Sequence, residues 1–120
     1  MTPVSPTSRL PDGSGTISPE TIDEAVRLLV EASRPSRVIL FGSYARGDPS
    51  RASDLDFLVV LHSVESRRAE MVRLRRVLRP LRVPVDILVT TERQVYEWGH
   101  LPGLAINAAL TEGKVMYEAA

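Results

Sequence analysis

Apolar residues in this chain alternate between a helical and a strand rhythm. Ile22, Val26, Leu29 and Val30 recur on one helical face behind Ser18-Pro19-Glu20, which supplies an N-cap serine, a proline at the first helical position and an acid in the first turn. A helix is predicted from there to about Ser33, where Arg34-Pro35-Ser36 ends the period. Arg37-Val38-Ile39-Leu40-Phe41 is a β-branched apolar run of strand length that stops at Gly42, and Asp54 to Leu61 forms a second. Val64 to Leu81 returns to the helical period, with Met71, Leu74, Leu78 and Leu81 on one stripe. Pro84 to Val89 reads as a third strand. Thr91 to Trp98 and Leu104 to Leu110 read as helices, with Gly113 as a C-cap, and Val115-Met116-Tyr117 as an edge strand. The order predicts an α/β fold, a mixed β-sheet with helices packed against it.

Residues 1–17 stand apart: Pro3, Pro6, Pro11, Gly13 and Gly15 lie among Ser and Thr without apolar period, so a flexible tail is expected there and one domain over 18–120. A chain of 120 residues supports one layered core and not two. Fifteen basic and fifteen acidic residues cancel, which argues against a protein that coats nucleic acid with its whole surface, and direct nucleic-acid binding is not expected. The absence of cysteine excludes disulfides, thiolate chemistry and the usual structural zinc ligands. The longest apolar run, Phe57 to Leu61, is far too short to cross a bilayer, and no basic stretch with an apolar core opens the chain; a cytoplasmic protein without a membrane partner is expected.

Chemistry concentrates between Leu40 and Leu61. Gly42-Ser43-Tyr44-Ala45-Arg46-Gly47 matches the first half of a phosphate-binding P-loop, but Asp48 and Pro49 stand where Lys and Ser/Thr are required. Asp48, Ser50, Ala52, Asp54 and Asp56 have the alternate spacing of a calcium loop, yet Ala52 cannot ligate and the central glycine and terminal glutamate are missing. Strand period two puts Asp54 and Asp56 on one face, continued into the core by Leu58 and Val60. Like charges at a half-buried strand end raise one pKa or demand a cation, and hard oxygen ligands favour Mg²⁺ or Mn²⁺. If the first two strands are antiparallel, Gly42-Ser43 lies beside Asp54 to Asp56. If the third strand flanks the second with Asp86 facing the pair, three carboxylates converge, an arrangement able to hold two Mg²⁺ ions for phosphoryl or nucleotidyl transfer.

Gly42-Ser43, ten intervening residues, Asp54-Leu55-Asp56 and the later strand residue Asp86 resemble the minimal nucleotidyltransferases of the DNA polymerase β superfamily, over roughly residues 20–110. The resemblance implies a polymerase β-like nucleotidyltransferase fold in which Asp54, Asp56 and Asp86 hold two Mg²⁺ ions, or Mn²⁺, and carry the catalysis. In it Asp86 doubles as general base, Gly42 and Ser43 contact the triphosphate, and ATP is the donor nucleoside triphosphate. Arg46 is added as a candidate phosphate clamp, ahead of Arg51. Nothing of acceptor-domain size follows Asp86. Minimal members of this kind are commonly antitoxins paired with a HEPN-type ribonuclease toxin, in a type VII-like toxin–antitoxin system. The expected function is therefore Mg²⁺-dependent adenylylation of such a partner protein. Open beside it stand an idle module that neutralises a toxin by steric cover, transfer to a small molecule or RNA, and a homo-oligomer that completes a pocket.

Other features have plainer readings. Ser43 also suits the N-cap of a short helix. Arg67, Arg68, Arg73, Arg75, Arg76, Arg79 and Arg82 read first as an exposed helix face and second as a surface for an acidic partner or RNA. His62 and His100 lack ligand spacing. Tyr96, Trp98 and Leu101 read as a terminal helix packed on the sheet rather than as a partner-facing patch.

Overall fold

The computed structural model describes residues 16–120. Most of the expected tail lies outside the described residues; of its last two positions, Ile17 is a core residue, 5% exposed. Helix α1 spans Pro19–Ser33, and the Ser18 hydroxyl caps it by accepting from the Thr21 N–H at 3.1 Å. It closes at Arg34, which adopts a left-handed conformation (φ 47°) and donates its N–H to the Val30 carbonyl. Strand β1 (Arg37–Phe41), the single-turn helix α2 (Ser43–Arg46), and β2 (Leu55–Leu61) follow.

Helix α3 runs over Arg67–Leu78 and passes into a 3₁₀ turn at Arg79–Leu81. It is shorter at both ends than the apolar stripe predicts. Ser66 caps it, accepting from the Ala69 N–H at 3.2 Å, so Val64 stays outside; Pro80 has no N–H to continue the ladder and forces the tighter turn. Strand β3 (Val85–Thr91) extends two residues past the predicted end, and Thr91 then caps α4 (Glu92–Trp98). Helix α5 (Ala105–Glu112) and the edge strand β4 (Lys114–Glu118) complete the chain.

The four strands form one mixed sheet in the order β3-β2-β1-β4, with β2 and β3 parallel and the other pairs antiparallel. The strand neighbours are those the sequence predicts: β1 is antiparallel to β2, and β3 is the other neighbour of β2. One face carries Val38, Leu40, Leu55, Phe57, Val59, Leu61, Ile87 and Val89 under α1 and α3, the main core. The alternate residues Ile39, Leu58 and Val60 meet Ala109 of α5, with half-buried Phe41, Leu88, Val95 and Leu110 around them, a much smaller cluster. The second face is covered at one end only. Among the described residues no helix is long and apolar enough to cross a membrane.

Candidate active site

The uncovered end of the second face is built around a tight turn. Phe41, the last residue of β1, pairs with Asp56 of β2. Gly42 follows with φ 76° and ψ −157°, a conformation that side chains resist, and a Cβ there would overlap the Asp56 carboxylate oxygen Oδ2. Glycine thus brings the backbone flush against this acid. The Gly42 carbonyl accepts from the N–H groups of Ala45 and Arg46 at 3.1 and 3.0 Å, opening α2. The N–H groups of Ser43 and Tyr44 sit at the head of that turn without intrahelical partners. Gly42, not Ser43, occupies the cap position, so Ser43 is the first helical residue rather than an N-cap. The Tyr44 hydroxyl accepts from the Ile17 N–H at 2.9 Å, pinning the turn to the start of the described chain.

Asp56 and Asp86 are directly paired on the parallel strands β2 and β3, which places both side chains on the same face of neighbouring strands about 4.8 Å apart. Asp54 lies one residue before β2. Asp54 and Asp86 are exposed and Asp56 is half-buried. Burial pushes the Asp56 carboxyl above the usual carboxylate range, the charges of Asp86 and Asp54 push it further, and Arg46 partly offsets them. Four of the predicted site residues therefore share one electrostatic neighbourhood, and Gly42 and Ser43 form its wall. Arg46 also pairs with Asp48 at 3.5 Å, while Arg51 is exposed in the loop beyond.

Hard carboxylate donors whose like charge is only partly offset fit a divalent cation. Yet among the described residues no three His, Cys, Asp or Glu side chains are gathered into a metal cage. The three acids share a rim without closing on a common point, and Asp86 Oδ1 accepts from the Arg75 guanidinium of α3 at 3.4 Å. Arg75 was legible only as one of seven arginines on an exposed face, because no periodicity tells which of them reaches round the edge of β3.

His62 lies past the far end of β2 from the acids. The expectation that Tyr96 and Trp98 pack on the sheet fails: they are 85% and 49% exposed, because α4 turns only Val95 into the second cluster.

Residues 21–114 match the family model described as Nucleotidyltransferase domain. No curated protein matches the sequence. Among solved structures, the chain is similar to a Sulfolobus solfataricus protein assigned to the nucleotidyltransferases, with a TM-score of 0.57, 22% identity, and 82% of this chain and 78% of that one covered. It is also similar to a toxin–antitoxin structure determined with AMP-PNP (TM-score 0.55, 20% identity, 81% and 73% covered). A mutant MntA–HpeT toxin–antitoxin gives a TM-score of 0.54 at 19% identity, again with 81% and 73% covered. At these identities the likeness is one of fold.

Proposed function

The chain belongs to the nucleotidyltransferase domain family, and from that premise we propose that it transfers AMP from ATP to a hydroxyl of a partner protein, the toxin of a toxin–antitoxin pair. The observation that carries this reading is Asp56: a half-buried carboxylate crowded by Asp54 and Asp86 at the foot of the Gly42 turn. Such crowding costs stability unless the site is used by a cation. The partner is inferred from two structural neighbours that are toxin–antitoxin proteins, and a HEPN-type ribonuclease in the cytoplasm is the partner that the resemblance to the minimal nucleotidyltransferases implies.

Asp54 and Asp56 would hold Mg²⁺, and Asp86 would join them on leaving Arg75. The ions, when bound, supply Lewis-acid polarisation of the phosphoryl group and neutralise charge on departing pyrophosphate. The chain's own residues do the rest. The free N–H groups of Ser43 and Tyr44, the Ser43 hydroxyl and the Arg46 guanidinium orient the triphosphate. Asp86 accepts the proton of the acceptor hydroxyl as that oxygen attacks the α-phosphorus in line.

The test is incubation of the chain and its partner with labelled ATP and Mg²⁺. Labelled AMP should appear on the partner, and the Asp54→Asn, Asp56→Asn double variant should lose transfer by at least about 10³-fold. One observation favours the alternative of idle steric cover: Asp86 is occupied by Arg75. Undiminished neutralisation of the toxin by the double variant would establish that alternative and remove catalysis.

A further inference from the structure

Along β2 the face that carries Asp56 continues to Leu58, and along β3 the face that carries Asp86 continues to Leu88. Two residues of strand measure about 7 Å. At that distance from the acids the face opens into a groove of about 470 Å³. Leu58 and Leu88 form its floor, Trp98 of α4 and Leu104 and Ile106 at the head of α5 its walls. Trp98 is 49% and Leu104 41% exposed, so two large apolar side chains border an opening that nothing in the described chain fills.

A single amide gives the lining its direction. Gln94 Oε1 accepts from the hydroxyl of the buried Thr90 at 2.9 Å. That bond fixes the amide and leaves its NH₂, unpartnered among the described residues, as the donor Gln94 brings to the groove. With the exposed Arg67 of α3 also on its lining, a largely apolar slot that holds a fixed amide donor is the complement of a flat ring with in-plane acceptors.

We infer that this groove seats the nucleobase of the donor nucleotide, a purine, with its face against Trp98 and Leu88 and a ring nitrogen accepting from Gln94. The inference rests on the nucleotide-transfer reading and deepens it. With the phosphates at the Gly42 turn and the Asp54–Asp56 rim, a ribose bridges the distance to Leu88. Recognition of the base then falls to α4 and α5, the elements that cover only part of the second face.

Trp98 is the chain's only tryptophan, so its emission reports directly on the groove. Titration with MgATP should change that emission saturably, and magnesium tripolyphosphate, which lacks a base, should bind by calorimetry without changing it. Leu88→Arg should weaken MgATP by about tenfold or more and leave tripolyphosphate binding unaltered, and Gln94→Leu should weaken MgATP about three- to tenfold. If Leu88→Arg loses its circular dichroism signature, Trp98→Ala, at an exposed position, replaces it and is read by calorimetry with the same expectation. MgATP binding that leaves Trp98 emission unchanged and is indifferent to these variants overturns the groove and spares nucleotide transfer. No MgATP binding at all overturns both.

Discussion

On the face covered by α1 and α3, β2 contributes Leu55, Phe57, Val59 and Leu61, each 5% exposed or less. On the opposite face the same strand runs from Asp54 and the half-buried Asp56 to Leu58 and Val60 under α4 and α5. Interleaved residues of one strand thus serve two ends. The first face is a closed apolar layer whose role is to hold the sheet together. The second is closed only where Ala109, Leu110 and Val95 reach it, and where that cover stops the strand changes from leucine to aspartate. Burial on one side supplies the rigidity that lets charge be crowded on the other.

The sharpest way to break this comparison is to delete equivalent bulk on each face. Leu55→Ala, at a fully buried position, should cost about 2–5 kcal/mol in urea unfolding, a large share of the stability of a domain this size. Leu88→Ala, on the half-covered face, should cost about 1–2 kcal/mol. Equal losses would mean that the second face is as much a core as the first. Next in size is Gly42→Ala. It meets both a left-handed backbone and the Asp56 carboxylate, so a loss of about 1–3 kcal/mol in thermal unfolding is expected, together with loss of AMP transfer, because Asp56 must move.

Asp56→Asn should act in the opposite sense on stability. The folded-state pKa of Asp56 is raised, so its contribution is fully present below the ordinary aspartate pKa and is lost as pH rises through the folded value. Above the folded value the folded protein therefore carries the whole penalty. Removing the charge should raise Tm by about 2–5 °C while abolishing transfer. A lower Tm would show that Asp56 is an ordinary structural acid.

The closed face was legible because its residues obey one rule at a time. Leu29, Phe57 and Leu74 are apolar at helical or strand period, and the sheet places them inside. The acids were legible for another reason: Asp54 and Asp56 put charge on the very strand face that Leu58 and Val60 continue into the core, and Asp86 breaks a run of aliphatics. Chain pairing was not readable from composition, yet parallel β2 and β3 bring Asp56 beside Asp86 in register. Three things escaped the sequence. Pro80 within an unbroken apolar stripe hid the early end of α3. Arg75 is chemically identical to six neighbours, and only the packing of α3 on β3 selects it. Trp98 looked like core because aromatic residues at helical spacing usually are, and it stands half exposed because α4 turns Val95 rather than Trp98 into the second cluster.

The two ends of the sheet should also answer pH oppositely. At the end away from the acids, Glu92 accepts from the Ser36 hydroxyl and, at 3.2 Å, from Arg37, and these contacts hold its carboxyl below the usual glutamate range. Its contribution is present above the ordinary glutamate pKa and is lost as pH falls through the depressed folded value. Between pH 3 and 7, Glu92→Gln should flatten the acid limb of a Tm profile, and Asp56→Asn should remove the decline above the ordinary aspartate range. Identical profiles for the two variants would erase the distinction between the ends.

The smallest effect is also the most specific. Arg75 and Asp86 meet at 3.4 Å with both side chains about half exposed, and pairs of this kind contribute about 0–1 kcal/mol. Arg75→Ala should therefore leave Tm nearly unchanged. The same small energy has a larger meaning at the rim, because the Arg75 guanidinium offsets part of the Asp86 charge that a divalent ion would otherwise meet. Freed of its partner, Asp86 should raise Mn²⁺ affinity, read by electron paramagnetic resonance of the free ion, about two- to fivefold. Added salt screens exposed pairs, so the advantage of the variant over the parent should shrink as ionic strength rises. Unchanged Mn²⁺ affinity at low salt would place Asp86 outside the ion site, leaving Asp54 and Asp56 as its only carboxylates and making the third acid a feature of the edge strand alone.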